Sequence, residues 1–377
     1  MFEVHVMPTR LLELKQAIAG YAKTGIELIS FDGNNFFPTG LSDDIGLYYI
    51  IPKLVCLFDV SPELAIALFF YGIVIASCLV GSIGFLFFCK TWLARVFSVF
   101  SLTMFSYVSC RGMTDVYLVQ SSVAIAIIPW TLYFLHKKKV MISSLVFLFL
   151  SGIVIGYAHY IRSFSSFAVF LFIILSSMFL VVDTLKKKLL LFCVLCFGLV
   201  VPFVHINNVI AKRKSFLGAP LDTFEQKHVF WHTVYAGFGL LQNDLGIECN
   251  DNVIIKKIEQ VEPEAVYPSK LYEAAAKKEV IRLFKEQPQF VMRTLFAKLG
   301  IIFYYFLLFA NIGLFAAFFV PKPLMIDLIF FISLLFSSLF GFIAIPGRYY
   351  LLGFLAFAVL YAIISVEYFL RKYKKGK

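Results

Sequence analysis

Charge is what this sequence has least of. Only 15% of its 377 residues are charged, while 60% are hydrophobic, 18% are aromatic and the mean hydropathy is +0.86. No soluble globular domain needs that much apolar side chain; a polytopic membrane protein does. Nucleotide signatures are missing as well. There is no P-loop, no GxGxxG after a strand, no GxSxG elbow and no kinase set, so ATP-driven transport and nucleotide-cofactor chemistry have no support. Internal repeats and low-complexity tracts are absent too.

Acidic residues are scarcer than basic ones, and the formal charge is +11. That excess could suggest a nucleic-acid partner, but its distribution argues for a bilayer. The cations sit in short clusters between apolar runs, at His136–Lys139, Lys186–Lys188 and Arg371–Lys377, as orientation signals do. Seven cysteines add little. Cys56, Cys78, Cys89, Cys193 and Cys196 lie in or beside apolar segments, where cysteine acts as a small hydrophobe. The Cys193-x-x-Cys196 pair has no second pair to complete a metal site, and only Cys110 and Cys249 are placed to meet an oxidising compartment.

Runs of about 20 apolar residues give nine candidate spans, near 62–88, 92–110, 116–135, 140–158, 163–183, 189–206, 297–319, 325–345 and 349–369. The expected fold is an all-α polytopic membrane protein. It divides into an external segment 1–61, six spans over 62–206, an external segment 207–296 and three spans with a basic tail over 297–377. Placing Lys90, Lys137–Lys139, Lys186–Lys188, Lys322 and the Arg371–Lys377 tail in the cytoplasm satisfies the positive-inside rule at every second loop. Residues before 62, the loops at Arg111–Asp115 and His159–Arg162, segment 207–296 and Arg348 then share the external face. No signal peptide or apolar span precedes them, which raises the expectation of a missing upstream span. Arg10 to Ile29 reads as an amphipathic helix through Leu11, Leu14, Ile18 and Tyr21.

Within the external face, LSDDIGLYYIIPKLVCLFD, Leu41 to Asp59, sets two carboxylates before a short aromatic run with Ile45, Tyr48, Tyr49, Pro52 and Val55 at helical spacing. Too short to cross, it is expected to lie along the membrane surface. Asp43 and Asp44 read either as a helix cap or as the acidic centre of a site. Arg111 and Asp115 bracket one outer loop, and charges at membrane depth cost about 2.5–3.5 kcal/mol each, so both need partners. They read as a mutual ion pair, or Asp115 as a second carboxylate of the site. Arg162, beside His159, and Arg348 offer planar forks for a lipid phosphate, or snorkel to headgroups. His228 and His232 would share a helix face, but no third metal ligand and no HExxH glutamate accompany them. A sugar- or lipid-contacting surface with Trp231 and Tyr235, or an ordinary buried histidine, are the readings left. Segment 207–296 opens on Lys212-Arg213-Lys214 and carries a polar helix from Ser269 to Glu286, with Leu271, Ala275, Ile281 and Phe284 as its apolar stripe and Pro288 as its stop. It reads as a small cap over the site.

SDDIGLYYIIPKL is similar to the first-loop motif of the GT-C class of membrane glycosyltransferases. GYAHYIRSFSS and HVFWHTVYAGFG resemble stretches of bacterial members of the dolichyl-phosphate-mannose protein mannosyltransferase-like superfamily. The resemblance covers most of residues 30–350, although the first span of that family has no counterpart here. It implies transfer of a sugar from a polyprenyl-phosphate donor to a saccharide, lipid or protein acceptor at the external face of a bacterial inner membrane. Asp43 or Asp44 would be the general base, and Asp115 would orient it or bind a divalent metal ion. Arg162, with Arg111 or Arg348, would hold the leaving phosphate. The competing readings are a flippase or transporter of a lipid-linked saccharide, a saccharide ligase or polymerase, and an inactive relative.

Overall fold

The computed structural model describes residues 8–39, 44–112, 114–135, 141–181, 184–218 and 229–375. Asp43, His228 and the His136–Lys139 cluster lie outside the described residues. The described chain is helical apart from one two-stranded hairpin. Among the described residues, eight helices are long and apolar enough to cross a membrane: α3 (Pro62–Phe88), α4 (Trp92–Gly112), α5 (Leu118–Leu135), α6 (Ile142–Ile161), α8 (Leu185–Leu217), α12 (Pro288–Phe319), α13 (Leu324–Ile343) and α14 (Leu352–Lys375). These make the chain a helical integral membrane protein. α5 and α14 are buried over 78% of their apolar length, against 22–39% for the other six, so they form the middle of the bundle.

The run expected to span at 163–183 is shorter than a crossing needs. Its helix, α7, is Phe167–Phe179, 13 residues or ~20 Å. The shortening has a local cause. Phe164 takes a left-handed φ of 59°, and the Ser165 and Ser166 hydroxyls donate back to the carbonyls of Ala158 and Ile155, which closes α6 instead of opening α7. Even so, α7 carries the chain back. α6 and α8 run the same way alongside each other, with Gly152 opposite Gly198, Gly156 opposite Pro202 and Tyr157 opposite His205, so the segment between them must return. A Cβ at Gly152 would come within 2.9 Å of the Gly198 Cα, so this close packing depends on small residues. α7 packs its Phe172 ring against Phe330 of α13 and Phe357 of α14.

Two distinct ends result. At one, the Glu367 carboxylate accepts from the Lys90 and Thr91 amides, and Arg371 donates to the Phe88 carbonyl. Lys322 pairs with Asp327 at 3.0 Å in the α12–α13 link. The other end gathers the C-termini of α4, α6 and α13 and the start of α5. There α1 (Pro8–Thr24), the hairpin of β1 (Ile29–Phe31) and β2 (Phe36–Pro38), and α2 (Ile45–Phe58) lie across the bundle. α2 turns into α3 at a sharp corner. Asp59 is left-handed, Ser61 caps the Leu64 amide at 3.2 Å, and Pro62 opens the helix.

The cap has its own small core. α9 (Phe230–Ala236), α10 (Asp251–Val261) and α11 (Lys270–Glu286) bury Tyr235, Ile254, Ile258, Tyr272 and Val280 together. Ser269 caps α11 as its sequence implies, accepting from the Tyr272 amide. The buried stripe is rotated from the expected one. Ala275 is inside, but Leu271, Ile281 and Phe284 are exposed, and Tyr272, Ala276, Val280 and Leu283 face the core. The rotation follows from Tyr272, whose hydroxyl is needed inside by His232. α8 also runs further than its apolar part and carries Lys212–Lys214 on its last turns.

Candidate functional site

The site forms where α2 meets the end of α6. Gly46 makes that approach possible: a Cβ there would lie 2.8 Å from the Ile161 amide nitrogen and 2.9 Å from the Tyr160 carbonyl carbon. Asp44, one residue before α2, therefore reaches Arg162, one residue after α6. Asp44 occupies the N-cap position of α2 but makes no capping hydrogen bond with its side chain. Its carboxylate turns to two cations instead, accepting from Arg10 Nη2 at 2.6 Å and from Arg162 Nη1 at 3.3 Å.

Arg10, in the first turn of α1, joins the second carboxylate to the first. Its Nη1 donates to Asp115 Oδ2 while its Nη2 holds Asp44. The other Asp115 oxygen accepts from the Val116 amide at 2.7 Å. The order is Arg162–Asp44–Arg10–Asp115, alternating in sign, with both carboxylates at most 2% exposed. Burial alone would lower the Arg10 pKa, but Asp44 and then Asp115 outweigh it and hold the guanidinium above its ordinary range. For Asp115 burial wins and pushes the carboxyl above its usual value, against the pull of Arg10 and the Val116 amide.

Aromatic rings wall the cluster. Arg162 stacks its guanidinium 4.7 Å from the Tyr117 ring centre, and Tyr117 meets Tyr349 and Tyr350 at 5.4 and 5.2 Å. Burial raises the Tyr117 phenol above its ordinary pKa. On the α1 side, the Tyr48 hydroxyl donates to Glu13.

Other expected site residues fall elsewhere. Arg111 is exposed in the last turn of α4, and the partner of Asp115 is Arg10, not Arg111. His159 is exposed and accepts from the Phe164 amide, closing the turn after α6. Arg348 donates to the Val108 carbonyl and ties the α13–α14 loop to the end of α4, which sets Tyr349 and Tyr350 against Tyr117. His232 is an internal residue of the cap, bonded to the Tyr272 hydroxyl at 2.7 Å and to Asp251 at 3.2 Å. Its hydrogen bond is the main reason the Asp251 carboxyl lies below its usual pKa. Among the described residues no three His, Cys, Asp or Glu side chains converge as a metal site, and the guanidinium groups take the oxygens of Asp44 that a cation would need.

Arg10 is the member that sequence reasoning missed. One signal pointed to it: a cation in the first turn of a helix opposes the helix dipole, and α1 has no acidic residue there to compensate. Chemically, the cluster pairs groups able to accept a proton with groups able to hold a phosphate, in a site closed off by rings and helix ends. The class these features define is a helical membrane protein with a buried, alternating ion chain at one end of its bundle. No family model, no curated protein and no solved structure matches the chain.

Proposed function

We propose that the protein is a membrane glycosyltransferase that moves a sugar from a polyprenyl-phosphate donor to an acceptor at the external face of a bacterial inner membrane. The observation that carries this reading is Asp44 lying between the guanidinium groups of Arg10 and Arg162, with Asp115 next in line. A base and a phosphate clamp must sit within a few ångströms of each other in such a reaction, because the sugar carbon lies between them. Three features support the external assignment: the cluster lies opposite the end that carries Lys90, Lys322 and Arg371, the short apolar helix α2 starts from it, and a small helical unit follows α8.

In the step itself, Asp44 or Asp43 accepts the proton of the acceptor hydroxyl or amine as that atom bonds to the sugar carbon. The bond from the sugar carbon to the phosphate oxygen breaks, and polyprenyl phosphate leaves with its electron pair. Arg162 takes the growing charge on the phosphate. Arg10 joins it once the acceptor displaces Arg10 from Asp44, which also frees the carboxylate to act. Asp115 holds Arg10 in the interval and acts as its positioning residue. The test is sugar transfer from a labelled polyprenyl-phosphate donor in proteoliposomes. Asp44→Asn, Asp43→Asn and the double variant are compared with the parent, and full rates in all three refute the reading.

A further inference from the structure

Between α8 and the segment after α1, a groove of about 540 Å³ runs along one face of α8. Its lower wall is apolar and open to the bilayer, with Phe197 66%, Val201 40% and Val204 49% exposed. Its upper wall is polar, with His205, Asn208 and Lys212 from α8 and Glu27 from the segment after α1. From Phe197 to Lys212 the helix rises ~22 Å, so the groove passes from the apolar part of the span into the water boundary. Apolar below and polar above is the profile of a membrane lipid. The size lies within the range of small-molecule sites.

The polar end is built rather than incidental. His205 is fixed on both ring nitrogens, 2.8 Å from the Tyr49 hydroxyl of α2 and 2.8 Å from the Tyr157 hydroxyl of α6. A neutral imidazole has one N–H and one lone pair, so one tyrosine oxygen accepts from the ring N–H and has its own O–H left to donate, while the other tyrosine donates to the lone pair. Glu27 is held by Lys53 at 2.8 Å, and Lys53 lies 3.7 Å from the Tyr49 ring centre. Glu27 is already taken up by Lys53, so Lys212 is the lining cation open to an anion. That charge matches a phosphodiester, which carries a single negative charge.

We propose that this groove is a binding site for one anionic glycerophospholipid, its phosphodiester near Lys212 and Asn208 and an acyl chain along Val204, Val201 and Phe197. The site is separate from the Asp44 cluster and does not rest on the sugar-transfer reading. Because Tyr49 and Asp44 flank the first turn of α2, a lipid seated here stiffens the element that carries Asp44.

The experiment uses the full-length protein in nanodiscs of phosphatidylcholine with photoreactive phosphatidylglycerol, and maps cross-links by mass spectrometry. Labelling is expected between Phe197 and Val204. Lys212→Glu lowers it about tenfold, as loss of one charge-assisted contact would, and Lys212→Arg restores it. Val201→Trp blocks the groove from a lipid-facing position without altering charge, and unfolding temperature verifies that each variant is folded. Labelling that is unchanged in Lys212→Glu and Val201→Trp overturns the site. Equal competition by soluble glycerol phosphate overturns the lipid assignment. Displacement by polyprenyl phosphate at equal concentration overturns the phospholipid and gives the groove to the donor.

Discussion

Arg10 and Asp115 are bonded to each other across 105 residues of chain, and the same guanidinium holds Asp44. Removing it as Arg10→Met leaves two buried carboxylates without compensation on their shared side, at an expected cost of about 3–5 kcal/mol. The cost should depend on pH. Burial already raises the Asp115 carboxyl, and loss of Arg10 raises it further. A carboxyl with a raised folded-state pKa contributes stability below its unfolded value, about 3.9, and loses it as pH rises through the folded value. The variant's deficit in unfolding temperature is therefore larger near pH 8 than near pH 5. Equal deficits at both pH values refute the account.

If Asp44 takes the acceptor's proton, Asp44→Asn should lower the transfer rate by about 10²–10⁴. Glu13→Gln is the control, since Glu13 touches Tyr48 on the same pair of helices but not the ion chain. Arg162→Lys keeps the charge and loses the planar fork and its stacking on Tyr117. Its expected signature is a lower rate with unfolding temperature close to the parent. A parent-like rate in Arg162→Lys removes Arg162 from the phosphate clamp.

These relations differ in how far the sequence exposes them. Asp44, Asp115 and Arg162 stand out because each is a charge at the end of an apolar run, where local cost alone demands a partner. Arg10 sits in an ordinary amphipathic helix whose only local mark is a first-turn cation with no acidic residue beside it, and its role arises only when the fold brings Asp44 and Asp115 to it, a long-range event. The buried stripe of α11 failed for a related reason. Tyr272 and Leu271 are adjacent, and the choice between them depends on a hydrogen bond to His232, 40 residues away. The long apolar helices were legible, since length and apolarity are local. The α7 segment misled because serine side chains redirect its first turn.

Gly46 sets the spacing of the site. Gly46→Ala forces a Cβ against the Ile161 and Tyr160 backbone, which cannot move aside as a side-chain tip would. The expected loss is about 1–3 kcal/mol, with transfer reduced beyond what stability explains because Asp44 and Arg162 separate. Gly72→Ala is the matched control: nothing lies within 4 Å of its Cβ, so it should gain up to about 0.5–1 kcal/mol. Similar behaviour of the two variants in unfolding and transfer counts against the close approach.

The opposite end of the bundle supplies a prediction that separates fold from function. Glu367 is fully buried in α14, and its carboxylate accepts from the Lys90 amide at 2.7 Å, the Thr91 hydroxyl at 2.8 Å and the Arg371 guanidinium. It thereby fixes the α3–α4 link against the last helix, about the length of a span from Asp44. Glu367→Ala leaves three link donors, the Lys90 and Thr91 amides and the Thr91 hydroxyl, without their acceptor and takes from Arg371 its carboxylate partner, and the expected loss is about 3–5 kcal/mol. The local consequence is faster amide exchange at Lys90 and Thr91. The rate of transfer per folded molecule should stay at the parent level, because nothing in this latch touches the ion chain. A fall in that rate in the folded fraction means that the two ends are coupled, and the separation drawn here between latch and site is then wrong.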